Sequence, residues 1–134
     1  MFDLTKGRRN IEIGERMNGH LVETVEGDQH VRIEVGGQVV AESRRPIVLT
    51  ESNLPVRYYM PPEDVNFDLL EATDTHTRCP YKGIASYWSF RDGGVMPDLA
   101  WAYPDPIPAV ASIKDHVAFY GDDVTIVVDG MKQS

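Results

Sequence analysis

Residues 31–43 read VRIEVGGQVVAES, and this stretch decides the class of fold. Over residues 31–35, three apolar side chains alternate with two charged ones, a period of two that is typical of a strand with one buried face. Gly36 and Gly37 follow, and glycine tolerates the positive φ angles of a tight hairpin turn. We therefore predict an antiparallel hairpin whose second strand covers residues 38–43.

Further short β segments follow this hairpin, separated by turn-forming residues. Pro62 opens a predicted short helix over residues 62–70, and a second short helix is predicted at residues 109–113. The last two strands are predicted to form a hairpin across Gly121 and Asp122. The predicted strands cover residues 47–50, 56–60, 75–79, 84–90, 99–103, 117–120 and 124–128.

The order of these elements predicts a mainly β fold. Strands do not alternate with long helices, which argues against a parallel doubly wound sheet. We expect a compact antiparallel barrel, roll or folded sheet with two or three short helices. A chain of 134 residues fits one domain. We place that domain at residues 29–134 and interpret the polar, glycine-interrupted residues 1–28 as an N-terminal extension.

Composition argues against several classes of function. The net charge of −8 disfavours binding to nucleic acid or to an anionic membrane surface. The apolar runs are too short for a membrane span, and the start MFDLTKGRRN lacks the apolar stretch of a signal peptide. The single cysteine allows no internal disulfide and no zinc site of paired cysteines, and the histidines are scattered. We therefore expect a cytoplasmic protein with no metal and no cofactor.

The segment THTRCPYKG, residues 75–83, is the sharpest candidate for chemistry. Arg78 and Lys82 lie close to Cys79 in sequence, and positive charge favours the reactive thiolate. In an extended strand His76 points to the opposite face, so a Cys–His pair within the segment is not expected. Two interpretations stay open: Cys79 is a reactive thiol, or it is a small buried apolar side chain.

Other candidates are polar or aromatic side chains near predicted turns. Tyr58 and Tyr59 alternate between the faces of a strand, so one of them joins the core and the other can line a cleft. Asp64 is either an acid or base or a group that stabilises a helix start. Ser43, next to two arginines, is either an anion contact or part of a solvated turn. An aromatic group, which serves either to stack a ring-bearing ligand or to pack the core, consists of Tyr87, Trp88, Trp101 and Tyr103.

Four segments occur in the order VVAESRRPIVLTE, YYMPPEDVNFDLLE, THTRCPYKGIASYW and WAYPDPIPAVASIKDHVAFY. Together, over residues 30–129, they resemble the domain-of-unknown-function 427 family, small proteins common in bacteria. The resemblance implies a β-rich fold similar to the Mss4-like class, and the family is also catalogued as nucleotidyltransferase-like. The paired CxxC motifs of Mss4-like zinc proteins and the Gly-Ser and paired-Asp pattern of nucleotidyltransferases are missing here, so neither activity is carried over. The family's motif positions fall on Ser43, Tyr59, Asp64, Cys79, Lys82, Tyr87, Trp101 and Tyr103.

Three functions therefore stand at this point. The first is a small-molecule-binding protein or enzyme with a cleft near Cys79 and Lys82. The second is a non-catalytic interaction or structural module, such as a homodimer, whose motif residues serve the fold. The third, which the resemblance implies, is a metal-free relative of Mss4-like proteins that binds a partner protein. The candidate catalytic residues are Cys79, Lys82, Tyr59 and Asp64, and the candidate ligand-binding residues are Ser43, Arg78, Tyr87, Trp101 and Tyr103. A single concave pocket surrounded by the four candidate catalytic residues would favour the first function.

Overall fold

A computed structural model describes residues 11–13, 19–91 and 98–133. This part of the chain holds twelve strands and three short 3₁₀ helices, the latter at Pro62–Asp64, Phe67–Leu69 and Pro108–Ile113. The strands are β1 (Ile11–Ile13), β2 (Val22–Glu26), β3 (Val31–Val35), β4 (Gln38–Ser43), β5 (Ile47–Glu51), β6 (Arg57–Tyr59), β7 (Leu70–Cys79), β8 (Gly83–Phe90), β9 (Ala100–Ala102), β10 (Val117–Phe119), β11 (Val124–Val128) and β12 (Met131–Lys132).

The strands form three four-stranded sheets, and every strand pair within them is antiparallel. The orders are β1-β2-β5-β6, β10-β9-β8-β7 and β12-β11-β3-β4. The prediction of a mainly β, antiparallel fold is confirmed. In the described residues the sheets do not close into a barrel, so the barrel version of that prediction is wrong.

The predicted hairpin at residues 31–43 is confirmed and carries a β-bulge. Ile33 pairs with Ala41 and Glu34 pairs with Val39, which leaves Val40 as the extra residue. A bulge interrupts the strict alternation of faces. For this reason both Val40 and Ala41 are buried, although they are neighbours on one strand.

The predicted helix over residues 62–70 is wrong. Two separate 3₁₀ turns occupy the segment, because Val65 between them has an extended backbone and forms an antiparallel bridge with Ala41. The Asn66 side chain then caps the second turn by accepting a hydrogen bond from the Asp68 amide, and Leu70 already begins β7. Pairing with β4 thus overrides the local helix signals.

The predicted last hairpin is also wrong. β10 pairs with β9, whereas β11 pairs with β3 and β12, so residues 117–128 cross from one sheet to another. The hairpin at this end of the chain is β11–β12, and its turn places Asp129 and Gly130 at positive φ.

Part of the predicted N-terminal extension belongs to a sheet. β2 pairs along its whole length with β5, and Val22 is fully buried. Residues 1–10 and 14–18 of the predicted extension lie outside the described residues.

Two clusters of buried side chains form the core. The first is contributed mainly by β3, β4, β9 and β10, and the second by β2, β5, β6 and the last 3₁₀ helix. On β10, Val117 and Phe119 belong to the first cluster and Ala118 to the second. At its β10 edge, the β10-β9-β8-β7 sheet is therefore covered by one core cluster on each face.

No helix in the described part of the chain is long and apolar enough to cross a membrane.

Ile33→Ala should lower the free energy of unfolding by about 2–5 kcal/mol, because it leaves a cavity in the first cluster. Val39→Ala is the control: the side chain of Val39 is exposed on β4, and its truncation should change stability by no more than about 0.5 kcal/mol. Urea unfolding checks both variants. An Ile33→Ala protein as stable as wild type would contradict the described core.

Candidate functional site

A cleft of 310 Å³ opens between β6, β8 and β9. Five aromatic side chains form much of its wall, and four charged side chains lie among them. Leu54 and Pro55, in the connection between β5 and β6, add an apolar rim. The aromatic residues are Tyr59, Tyr87, Trp101, Tyr103 and Tyr120, and the charged residues are Glu51, Arg57, Lys82 and Asp98.

Strand geometry explains why Trp101 faces the cleft. Its neighbours Ala100 and Ala102 are buried in the first cluster, and alternation turns Trp101 to the other face of β9. There it lies directly across the strand pair from Tyr87, with ring centroids 6.3 Å apart. The two rings form one continuous aromatic surface.

Tyr59 forms the deep part of the cleft. It is 1% exposed, and its hydroxyl accepts a 3.2 Å hydrogen bond from the indole Nε1–H of Trp101. Burial raises the pKa of Tyr59 despite this hydrogen bond, and burial together with the neighbouring Tyr59 raises the pKa of Tyr103. Both phenols are therefore neutral at physiological pH and keep their hydroxyl protons.

A buried ion pair closes one side of the cleft. The ammonium of Lys82 lies 2.5 Å from Oε1 of Glu51, and the two side chains are 12% and 7% exposed. The ring of His20 contacts the other carboxylate oxygen at 2.8 Å and stacks on Tyr81. Burial by itself raises the pKa of Glu51, but Lys82 and His20 outweigh it, so the pKa lies below its ordinary value.

The side chain of Arg57 lies at the mouth of the cleft, over the aromatic rings of Tyr120 and Trp101. Its guanidinium carbon lies 4.5 Å from the ring centroid of Tyr120 and 5.8 Å from that of Trp101. Within the part of the chain that the structure describes, no carboxylate forms an ion pair with it.

Asp98 lies just before β9 and directly precedes Leu99, whose carbonyl oxygen accepts a hydrogen bond from the amide of Tyr120. Its two carboxylate oxygens accept hydrogen bonds from the hydroxyls of Thr73 and Thr75, at 2.6 and 2.7 Å. Its own amide donates to Oγ of Ser89 at 2.9 Å. Three hydroxyl groups on β7 and β8 thus fix both the backbone and the carboxylate.

Five of the residues predicted from the sequence lie together in this cleft: Lys82, Tyr59, Tyr87, Trp101 and Tyr103. Cys79 does not line it. It is half-buried and packs against the second core cluster, which lies under the cleft. Arg78 is exposed on β7.

Asp64 and Ser43 lie at a different place. Asp64 lies 3.6 Å from the guanidinium of Arg45, which also binds Glu63. Ser43 is buried, and its hydroxyl accepts a hydrogen bond from the Arg45 amide, so it shapes the turn after β4. Both residues line a shallow, open concavity that does not include the cleft residues.

Among the cleft residues, the sequence did not single out Tyr120 or the charged residues Glu51, Arg57 and Asp98. Glu51 and Lys82 are 31 residues apart in the chain, and no local pattern indicates that they meet. In the described part of the chain, no three His, Cys, Asp or Glu side chains come together in a group able to hold a metal ion.

Glu51→Gln should lower the free energy of unfolding by about 3–5 kcal/mol at neutral pH, because it leaves the Lys82 charge buried without its partner. The folded-state pKa of Glu51 is lowered, so its stabilisation is complete above the ordinary carboxyl pKa and is lost as the pH falls through the folded value. Urea unfolding over a pH series should therefore show that the free energy of unfolding falls less between neutral and acid pH in Glu51→Gln than in wild type.

Two further variants make this test specific. The double variant Glu51→Met with Lys82→Met removes both charges and should recover much of the lost stability. Glu63→Gln removes a carboxylate from a fully exposed pair and should have little effect. Equal stability of wild type and Glu51→Gln across the pH series would contradict the role given to the pair.

Comparison of the chain with curated proteins gives no match. A comparison with protein families does give one, and it covers residues 23–130. The matched span contains every cleft residue from Glu51 to Tyr120. The family is described as "Domain of unknown function (DUF427)", and the chain belongs to it.

Proposed function

We propose that this protein binds a small molecule that carries a flat ring and an acidic group, in the cleft between β6, β8 and β9. One observation carries the proposal: aromatic side chains surround a guanidinium, Arg57, that has no ion-pair partner among the described residues. The volume of 310 Å³ is at the low end of the range for small-molecule sites, which is roughly 300–1,000 Å³.

The aromatic wall of the cleft, formed by Tyr87, Trp101 and Tyr120, favours the binding of a ligand that carries a ring. Tyr87 and Trp101 present a continuous surface, and Tyr120 is largely exposed beside it. Aromatic rings stack in offset or edge-to-face geometry and gain about 0.5–1.5 kcal/mol beyond the burial of their area. The neutral phenols of Tyr59 and Tyr103 add hydrogen-bonding groups at the deep end.

Arg57 supplies the preference for an acid. Lys82 is already neutralised by Glu51, so its charge attracts an anion weakly. The guanidinium of Arg57 lies over Tyr120, and its N–H groups have no hydrogen-bond acceptor among the described residues. Such a planar donor suits a carboxylate or a phosphate, which it can bind with two parallel hydrogen bonds.

This geometry supports binding better than catalysis. Lys82 is held in an ion pair, and Cys79 lies outside the lining of the cleft. We also propose a cytoplasmic location, which the lone cysteine and the composition suggest. A relation to the Mss4-like class is a further proposal, supported by the predominance of antiparallel strands.

An interaction module remains the second candidate. Leu54, Val56 and Tyr120 are exposed apolar side chains that lie around the mouth of the cleft. If this rim pairs two copies of the chain, the protein should sediment as a dimer, and Val56→Ser, at an exposed residue that does not line the cleft, should return it to a monomer without changing its ligand binding.

Fluorescence titration tests the proposed binding. Trp88 and Trp101 are the two tryptophans of the chain, so Trp88→Phe leaves the cleft residue as the sole reporter. We expect phenylacetate, phenyl phosphate or adenosine monophosphate to change its emission in a saturable way. The neutral counterparts phenylacetamide and adenosine should bind at least about tenfold more weakly, because they lose a charged hydrogen bond to Arg57.

Arg57→Gln in the same background should abolish most of that preference for the acid. Arg32→Gln, on β3 in another sheet, is the matched control and should leave it unchanged. The proposal is wrong if no acid that carries a ring binds, or if such acids bind as well to Arg57→Gln as to the parent protein.

A further inference from the structure

The cleft contains a second charged group without an ionic partner, and it is of the opposite sign. Asp98 lines the same cleft as Arg57, yet no Lys, Arg or His in the described residues forms an ion pair with it. Its polar contacts there are the two threonine hydroxyls and the serine hydroxyl described above.

These contacts orient the Asp98 carboxylate without neutralising it. An ionised carboxylate has about four lone-pair positions, and the hydroxyls of Thr73 and Thr75 use one on each oxygen. Each oxygen therefore keeps accepting capacity. Because two strands fix the group in place, a ligand would lose little by binding to it.

Both of the remaining charges of the cleft gain an ionic partner only when a ligand carries charges of both signs. Glu51 and Lys82 neutralise each other. This leaves one positive group, Arg57, and one negative group, Asp98, with the aromatic surface of Tyr87 and Trp101 in the same cleft. A simple anion would satisfy Arg57 but would lie in a cleft with an uncompensated carboxylate.

Resting on the function proposed above, we infer that the ligand is a zwitterion: an aromatic compound with an acidic group and an ammonium group, of which an aromatic amino acid is the simplest example. Its ring stacks on the aromatic wall, its acidic group binds Arg57, and its ammonium group donates hydrogen bonds to Asp98. A hydroxyl group could also donate to Asp98, but it would leave the carboxylate charge unbalanced.

Three probes that share a phenyl ring separate the contributions of the ammonium group and the carboxylate group to the binding affinity. Phenylalanine carries both charges, 3-phenylpropionate lacks the ammonium group, and phenethylamine lacks the carboxylate. Titrated into the Trp88→Phe protein, phenylalanine should bind at least about tenfold more tightly than either of the others, since each of them loses one charged hydrogen-bonding partner.

Asp98→Asn is the decisive variant. Asn tolerates the left-handed backbone conformation of this position, where φ is 59°, and it keeps an oxygen for one threonine hydroxyl. We expect the variant to lose the preference for phenylalanine over 3-phenylpropionate, while 3-phenylpropionate binds as well as before or better. Asp123→Asn, in the exposed turn before β11, is the matched control and should keep the preference.

Thr75→Val provides a second variant if Asp98→Asn does not fold. It removes one of the two hydroxyls that hold the carboxylate in place but keeps the charge, so it should reduce the preference for phenylalanine only in part. Equal binding of phenylalanine and 3-phenylpropionate to the parent protein would overturn the inference and leave the proposed function standing. If no acid with a ring binds at all, both are overturned.

Discussion

The ion pair between Lys82 and Glu51 is the interaction on which the rest of the site depends. Glu51 ends β5, Lys82 lies in the turn between β7 and β8, and the pair therefore joins two of the three sheets. His20 adds a contact from the chain just before β2. Removing charges from water costs several kcal/mol for each ion, so neither member is stable in this place without the other. The pair fixes the sheets whose facing side chains form the aromatic wall.

For the ligand binding that we propose, the same pair determines which charges of the cleft remain available. Because Lys82 is neutralised inside the protein, the charges left to meet a ligand are those of Arg57 and Asp98, which are held by rings and by hydroxyls. Preorganised groups of this kind contribute to specificity more than to stability, since a mismatched ligand leaves one of them desolvated and unpaired. The cleft thus separates a structural ion pair from two charges that are available for binding.

Much of this architecture could be predicted from local pattern, and the errors have physical causes. The period of two at residues 31–35 and the two glycines after it predicted the hairpin correctly, because alternation directly reports which face of a strand is buried. The helix signals after Pro62 were overridden by the pairing of Val65 with Ala41, a tertiary contact that no local window contains. In the site, Lys82 and four of the five aromatic residues were among the candidates named from the sequence. Tyr120 and the charged residues Glu51, Arg57 and Asp98 were missed, because only folding brings them to one cleft.

The most direct test of the account is a map of amide and indole N–H chemical shifts in the ¹⁵N-labelled protein during titration with phenylalanine. The account predicts that the indole signal of Trp101, which donates to Tyr59, moves together with the backbone signals of β6 and β9, while the indole signal of Trp88 stays in place. Shifts centred instead on Ser43, Arg45 and Asp64 would place the ligand in the other concavity and contradict the account.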